Sequence, residues 1–283
     1  MTPAKTANQK VAVVTGSSTG IGYETALALA RNGFSTYATM RNLDKARPIE
    51  EIAKKEKLSL YAVKLDVTDE KSVNDAIQKI KSDAGRIDVL VNNAGYGLIG
   101  SLEDLAMNEI KAQYETNVFG LIRVTQAVLP VMRKQKGGII VNISSIGGKM
   151  ALPLSSPYIG TKFAVEGLSE SIAYDLEPFG IKVVIIEPGA IKTNFDTGMI
   201  VAKKNQDPSS PYYDKMQKFE KSMGAIVQGG TPASKVAQVI LGAVTTSNPN
   251  LRYTVGDDAA FLVQKRRELQ DTDFLKLVSD FLK

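Results

Sequence analysis

The segment Val11–Gly22 reads VAVVTGSSTGIG, and its reading decides the fold. Four consecutive apolar residues, Val11 to Val14, suit a strand buried on both faces, which has no need of alternating polar positions. Glycines follow at 16, 20 and 22, and a helical pattern (Ile21, Thr25, Leu27, Ala28, Ala30) runs to about Asn32, where Gly33 closes it. Strand, glycine turn and helix together form a site for a diphosphate. The turn is tight, the backbone approaches the ligand closely, and the helix N-terminus offers free N–H groups. No Lys-Ser/Thr pair follows the last glycine, so the turn is not a Walker loop.

Further along the chain the same alternation repeats. Apolar runs at Phe34–Met40, Leu58–Leu65, Ile87–Val91, Gly138–Ser144, Ile181–Ile186 and Arg252–Val255 read as strands. Between them, helical patterns cover about Lys45–Lys57, Thr68 or Asp69 to Ser82, Asn108–Arg133, the stretch from Ser156, Thr231–Val244 and Asp258 to the end. Strands alternating with helices predict an α/β protein with a parallel sheet and helices on both faces. Residues 1–9 read as a loose tail and 10–283 as one domain. Residues 190–230 interrupt the rhythm with Pro, Gly, Met and aromatics (Phe195, Met199, Tyr212, Tyr213, Met216, Phe219, Met223). They follow the sixth strand, at the sheet edge where open α/β folds bind ligands, and are expected to form a lid over an apolar substrate.

Composition narrows the chemistry. The 283 residues include no cysteine and no histidine, which removes disulfides, thiolates, imidazole bases and most zinc sites. Proton transfer is left to Tyr, Lys, Asp or Glu. A net charge of +5, with 35 basic and 30 acidic residues interspersed, gives no basic block for nucleic acid. The first ten residues lack the apolar run of a signal peptide, and no stretch is long enough to span a membrane. A cytoplasmic location is expected.

The chemistry is expected in Val141–Lys162, VNISSIGGKMALPLSSPYIGTK. It leaves a strand through two serines, crosses a Gly-Gly bend and enters a helix near Pro157. Tyr158 and Lys162 then share one helix face, a turn apart. A phenol has a pKa of about 10, and lowering it by roughly 3 units takes about 4 kcal/mol. An exposed ion pair contributes only about 0–1 kcal/mol. The pair therefore needs a dry cleft and a second positive charge, which an oxidised nicotinamide would supply. Ser145, at the strand end, is placed to hydrogen-bond the oxygen of a bound carbonyl or alcohol.

Strand two ends Ala38-Thr39-Met40-Arg41-Asn42, with no acid before Asp44 to take an unmodified ribose. Arg41, helped by the hydroxyls of Ser18 or Thr19, suits a 2′-phosphate through its bidentate fork, so NADP (NADPH/NADP⁺) is expected over NAD.

TGSSTGIG at the first turn, NNAG at 92–95, Asn117, Ser145, YxxxK at 158–162 and PG at 188–189 together resemble the short-chain dehydrogenases/reductases. The resemblance implies a Rossmann-like doubly wound sheet of about seven strands. It makes Tyr158 the acid/base, with Lys162 lowering its pKa and holding the nicotinamide ribose. Ser145, thirteen residues before the tyrosine, polarises the substrate oxygen, and Asn117 anchors a water that relays protons to Lys162. The cofactor would meet Gly16, Ser18, Thr19, Gly20, Ile21 and Gly22, with Arg41 at the ribose phosphate. Asp66 and Val67 would flank the adenine, Asn92 would brace strand four, and Asn93, Ala94 and Gly95 would follow it. Pro188, Gly189 and Thr193 would lie near the carboxamide or diphosphate. YATMRN is similar to NADP-preferring members acting on steroids and retinoids. The reaction implied is hydride exchange between nicotinamide and a small-molecule alcohol or carbonyl, without a metal. A β-ketoacyl reductase, or a silent dinucleotide-sensing regulator, remains open as an alternative. Leu121, Val124, Val128, Phe163, Leu168 and Ile172 would serve a homodimer or homotetramer contact.

Overall fold

A computed structural model describes residues 9–192 and 199–281, the side chain of Phe281 excepted. Seven strands form one sheet: β1 (Val11–Val14), β2 (Ser35–Met40), β3 (Leu60–Lys64), β4 (Val89–Asn92), β6 (Gly138–Ile143), β7 (Ile181–Pro188) and β11 (Arg252–Val255). Their order is β11-β7-β6-β4-β1-β2-β3, and every pairing is parallel. Strand order reverses between β1 and β4, which opens a crevice at their carboxyl ends. The glycine turn and NNAG both leave the sheet there.

β1 shows why the sheet is covered on both sides. Ala12 and Val14 face a core with α1 (Gly20–Arg31), α2 (Arg47–Glu56) and α8 (Ala233–Thr245). Val11 and Val13 face the opposite core, with α3 (Glu70–Ala84), α5 (Gly120–Gln135) and the end of α6 (Ser156–Leu176). Successive side chains of a strand point to opposite faces, so an unbroken apolar run supplies both cores. Asp69 caps α3, its carboxylate accepting from the Ser72 amide at 3.1 Å.

Two expected helices are each divided. The stretch expected over 108–133 begins as α4 (Met107–Tyr114), passes through a π-helical turn at Glu115–Phe119 and continues as α5. Such turns occur frequently at functional sites, and Asn117 lies in this one. The C-terminal pattern is two helices, α9 (Asp257–Glu268) and α10 (Asp271–Phe281). Phe274 and Val278 of its apolar stripe pack on Ile146 and Met150, while Leu275 stays exposed; Leu282 lies outside the described residues.

The region after β7 is folded onto the body. β8 (Ile191–Lys192) pairs with β10 (Thr231–Pro232), and β9 (Met199–Val201) pairs with β5 (Gly97–Ile99), just past NNAG. Met216 and Phe219 of α7 (Tyr213–Gln228) pack with Ile99. Phe195 lies outside the described residues.

Candidate active site

The glycine turn is shaped by contact with the loop after β4. Gly16 and Gly20 have φ of +67° and +62°, a region open to glycine at little cost. A Cβ on Gly22 would stand 2.4 Å from Asn93 Nδ2 and 2.5 Å from the Gly16 carbonyl oxygen. Asn93 Nδ2 donates to the carbonyls of Thr15 (2.9 Å) and Gly16 (3.1 Å). Thr15 Oγ1 accepts from the amides of Asn93 (2.9 Å) and Ala94 (3.0 Å). Thr15 is therefore a bracing residue that the sequence reading did not single out; its place beside the first glycine was the available signal.

The N-terminus of α1 carries no acidic residue in its first turn, and its N-cap, Thr19, makes no side-chain capping bond. Its leading N–H groups and the small residues around Gly16 and Gly22 fit an anionic diphosphate. Ile21 sits within that first turn. Arg41, just past β2, is exposed and makes no hydrogen bond or ion pair with the described residues. Ser17 ties the turn to the same strand, its amide donating to the Thr39 carbonyl at 2.9 Å. Asp66 accepts from the amide and hydroxyl of Thr68 and forms a turn, with Val67 buried beside it. Thr193 lies outside the described residues.

NNAG also reaches the YxxxK helix. The Asn117 carboxamide accepts from the Tyr96 amide at 3.0 Å, and donates to the Tyr96 carbonyl (2.9 Å) and to Thr161 Oγ1 (3.2 Å). Its side chain thus clamps the segment after Gly95 to the residue between Tyr158 and Lys162. Asn92 braces strand four, donating at 2.9 Å to both Thr125 Oγ1 and Asn142 Oδ1.

Ser145, Tyr158 and Lys162 converge. Ser145 Oγ accepts from the Gly147 amide at 3.0 Å. The Ser145 hydroxyl also faces the Pro188 carbonyl at 3.5 Å, which brings the Pro-Gly turn to the group. Ser144 is buried instead, its hydroxyl without a hydrogen-bond partner. Lys162 Nζ lies 5.7 Å from the Tyr158 ring centre and donates to the Ile143 carbonyl at 2.8 Å. Beyond Gly189, Asp258 accepts from the Ala190 amide at 2.7 Å and holds the turn closed.

Burial pushes the Tyr158 phenol up, with Ser145 opposing. Burial also pulls the Lys162 ammonium down to about 8, with Glu166 opposing. In the chain alone the Lys162 ammonium is turned toward the end of β6.

A second cluster joins the segment after β5 to the segment after β9. Asp104, buried, accepts from Ser210 Oγ at 2.5 Å and Asn205 Nδ2 at 2.9 Å, and pairs with Lys204 at 3.1 Å. Asn205 Oδ1 in turn accepts from the Ser101 amide at 2.9 Å. These partners lie about a hundred residues apart in sequence, so local pattern carried no sign of them. Beside this latch is a cleft of about 510 Å³ whose lining includes Ser101, Leu102, Pro153, Leu154, Ser156 and Tyr212.

Residues 10–203 match the short chain dehydrogenase family. The chain belongs to that family. A 3-ketodihydrosphingosine reductase of Bacteroides thetaiotaomicron is 37% identical over 91% of this chain and 92% of its own length. Human 17-beta-hydroxysteroid dehydrogenase type 1 is 35% identical over 92% of this chain and 81% of its own. A short-chain dehydrogenase from Streptomyces avermitilis superposes with a TM-score of 0.80 at 34% identity, covering 96% of this chain and 98% of that one. As a short-chain dehydrogenase the chain is an oxidoreductase that binds a nicotinamide dinucleotide and acts on hydroxyl groups of small molecules. Among the described residues no helix is long and apolar enough to cross a membrane.

Proposed function

We propose that the chain interconverts a hydroxyl and a carbonyl on a largely apolar small molecule with NADP(H), Tyr158 acting as the acid/base. One observation carries this reading: Asn93 is bonded to the glycine turn, and three residues on, Tyr96 is bonded through Asn117 to Thr161, between Tyr158 and Lys162. A dinucleotide seated on the turn is thereby held in register with the phenol. Gly16, Gly20 and Gly22 with the α1 N-terminus would hold the diphosphate, and Arg41 with Ser18 or Thr19 the 2′-phosphate. Asp66 and Val67 would border the adenine, while Asn93, Ala94, Gly95, Pro188, Gly189 and Thr193 would complete the nicotinamide side.

When bound, the nicotinamide supplies or accepts the hydride and, in its oxidised form, adds a positive charge. Tyr158, held protonated by burial, gives its proton to the carbonyl oxygen as the alcohol forms. Ser145 donates a hydrogen bond to that oxygen, stabilising the charge that develops there. Lys162 holds a positive charge near the phenol and favours its ionised form when the proton leaves. Asn117 fixes the floor between them and anchors the water through which protons reach Lys162.

The cleft beside Ser156, at the start of the Tyr158 helix, is lined by Leu102, Pro153 and Leu154 together with Glu103 and Lys215. Relatives named for a 3-ketodihydrosphingosine and a 17-beta-hydroxysteroid favour a ketone and secondary alcohol. Two copies would meet through α5 and α6. Val124 and Val128, expected there, are instead spent in the sheet core, whereas Phe119 and Phe163 are about half exposed, at 50% and 49%. Light scattering tests that contact. The test of the main reading is a panel of ketones, aldehydes and alcohols with NADPH and NADH. Turnover of apolar ketones, with kcat/KM higher for NADPH, supports it; equal or higher values with NADH overturn the cofactor assignment.

A further inference from the structure

Consecutive residues of α9 reach two different loops of the candidate site. The helix opens with Asp257 and Asp258, and acids in a first turn ordinarily face the helix dipole. Asp257 is exposed and suits that role. Asp258 is half-buried, and its carboxylate is turned onto the chain after β7, where Oδ2 accepts from the Ala190 amide at 2.7 Å. A Cβ on Gly189 would stand 2.4 Å from that oxygen and 2.5 Å from Oδ1, so the Pro188–Gly189 turn lies close against the carboxylate. Gly256, at φ +114°, makes the bend into α9, and its own Cβ would stand 2.5 Å from Asp258 Oδ1. The next residue, Ala259, is fully buried in an apolar cluster with Ile146 and Met150, from the bend that follows Ser145. Phe274 and Val278 of α10 belong to the same cluster.

The two loops meet where the substrate oxygen is expected, with Ser145 Oγ and the Pro188 carbonyl oxygen 3.5 Å apart. Around Ala190 the chain is fixed by its backbone as well. The Gly189 amide donates to the Val255 carbonyl at 2.9 Å, and the Ala190 carbonyl accepts from the Thr231 amide at 2.9 Å. Those bonds need no particular side chain, whereas Asp258 supplies one that does, from the helix that also packs on the Ser145 bend. Arg266 strengthens the join between α9 and α10, lying 5.3 Å from the Phe274 ring centre and pairing with Asp271 at 2.9 Å. A close-packed interior passes a displacement on instead of absorbing it, so a shift of α9 moves both loops together. The plainer reading is that α9 and α10 only cover an apolar patch. That role is met by Ala259, Phe274 and Val278 and gives no reason for a half-buried carboxylate on the Ala190 amide.

We propose that Asp258 is a positioning residue and α9 a clamp: bonded to Ala190 and packed on Ile146, the helix sets the spacing between the Ser145 hydroxyl and the Pro188–Gly189 turn. The proposal rests on the acid/base reading given above, in which Ser145 holds the substrate oxygen and the turn borders the nicotinamide. Asp258 acts on the reaction only through these two loops. Their separation governs how well a carbonyl on Ser145 lines up with the hydride donor, and a misplacement there costs rate more than binding.

The test has two arms. In the first, amide hydrogen exchange of the cofactor-free chain is followed by mass spectrometry in peptides covering 144–152 and 186–192. Asp258→Ala should speed exchange in both by about tenfold or more, while peptides of β1 and β4 keep the parent rate. Faster exchange in 186–192 alone makes the bond local and overturns the clamp, as does no change in either peptide. This arm needs no turnover, so its outcome is separate from that of the acid/base reading. In the second, Asp258→Ala should lower kcat for ketone reduction about tenfold, with KM and NADPH affinity within about twofold of the parent. Asp258→Asn, which keeps an oxygen for the Ala190 amide, should recover most of the loss. Phe274→Leu loosens the α10 side and should also lower kcat. Combined with Asp258→Ala it should cost little more than the larger single loss, because both release one clamp. Losses that multiply independently, or a loss that Asp258→Asn does not recover, overturn the assignment. Thermal melts confirm that each variant is folded, and if Asp258→Ala does not fold, exchange in Phe274→Leu decides: both peptides must quicken together, and one alone overturns the clamp.

Discussion

Around Gly16 two side chains tie main-chain groups together, whereas around Asp104 side chains tie one another. On the glycine side, main-chain carbonyls and amides of residues 15, 16, 93 and 94 meet through Thr15 and Asn93, with no room for a Cβ at Gly22. On the opposite side, a buried carboxylate collects Ser210, Asn205 and Lys204 from a segment far along the chain. The first construction leaves no room for a Cβ at Gly22. The second can be rebuilt with other side chains.

The sharpest way to probe this contrast is at the seam between the halves. Tyr158→Phe should lower turnover on the order of 10³-fold while leaving NADPH affinity near that of the parent, since no cofactor-side brace is touched. Single-turnover kinetics and NADPH fluorescence read the two quantities separately. Gly22→Ala attacks the backbone half: its methyl would meet Asn93 Nδ2 and the Gly16 carbonyl, so dinucleotide binding should fall by about a hundredfold or more, as measured by calorimetry. Arg41→Ala removes a charge without disturbing the turn. The ratio of kcat/KM for NADPH over NADH should drop about tenfold to a hundredfold, with NADH values unchanged.

Asp104→Ala breaks the latch and is expected to act on the substrate side alone, raising KM for an apolar ketone about tenfold with NADPH affinity unaltered. Burial opposes ionisation of Asp104, but bonds from Ser210, Lys204 and Ser101 outweigh it and hold the carboxyl below its usual range. The latch is therefore complete above about pH 4 and is lost only as pH falls below that. The smallest effect is on stability. Burial pulls Lys162 to about 8 in the folded chain, against about 10.4 when unfolded. Between those values the unfolded chain binds more protons, so stability of the cofactor-free protein should rise with pH there. Tyr158, raised by burial, opposes this only above about pH 10. Lys162→Met should flatten the rise in urea titrations at pH 7, 8 and 9.

The two halves also differ in how far they can be read from residue order. Glycine spacing at 16, 20 and 22 and the four-residue step from Tyr158 to Lys162 are local, and local geometry follows from them. The parallel sheet was legible for the same reason, since β1 feeds both cores through alternate residues of one apolar run. Thr15 escaped because its role depends on amides of residues 93 and 94, and Asp104 because its partners arrive about a hundred residues later. The π-helical turn at Asn117 keeps the apolar spacing of a helix and changes only its hydrogen bonding, so it leaves no periodic trace. How far Lys162 is enclosed, with its ammonium on the Ile143 carbonyl, is visible only in the fold.

Transfer of label tests the central claim most directly. NADPH deuterated at the reactive face of nicotinamide C4 is mixed with the parent chain and a panel of apolar ketones, and products are read by mass spectrometry. Deuterium on the carbinol carbon with the parent, and almost none with Tyr158→Phe although NADPH is bound, is the predicted result. Tight NADPH binding by the parent without label in any product, or equal labelling by both proteins, would contradict the account.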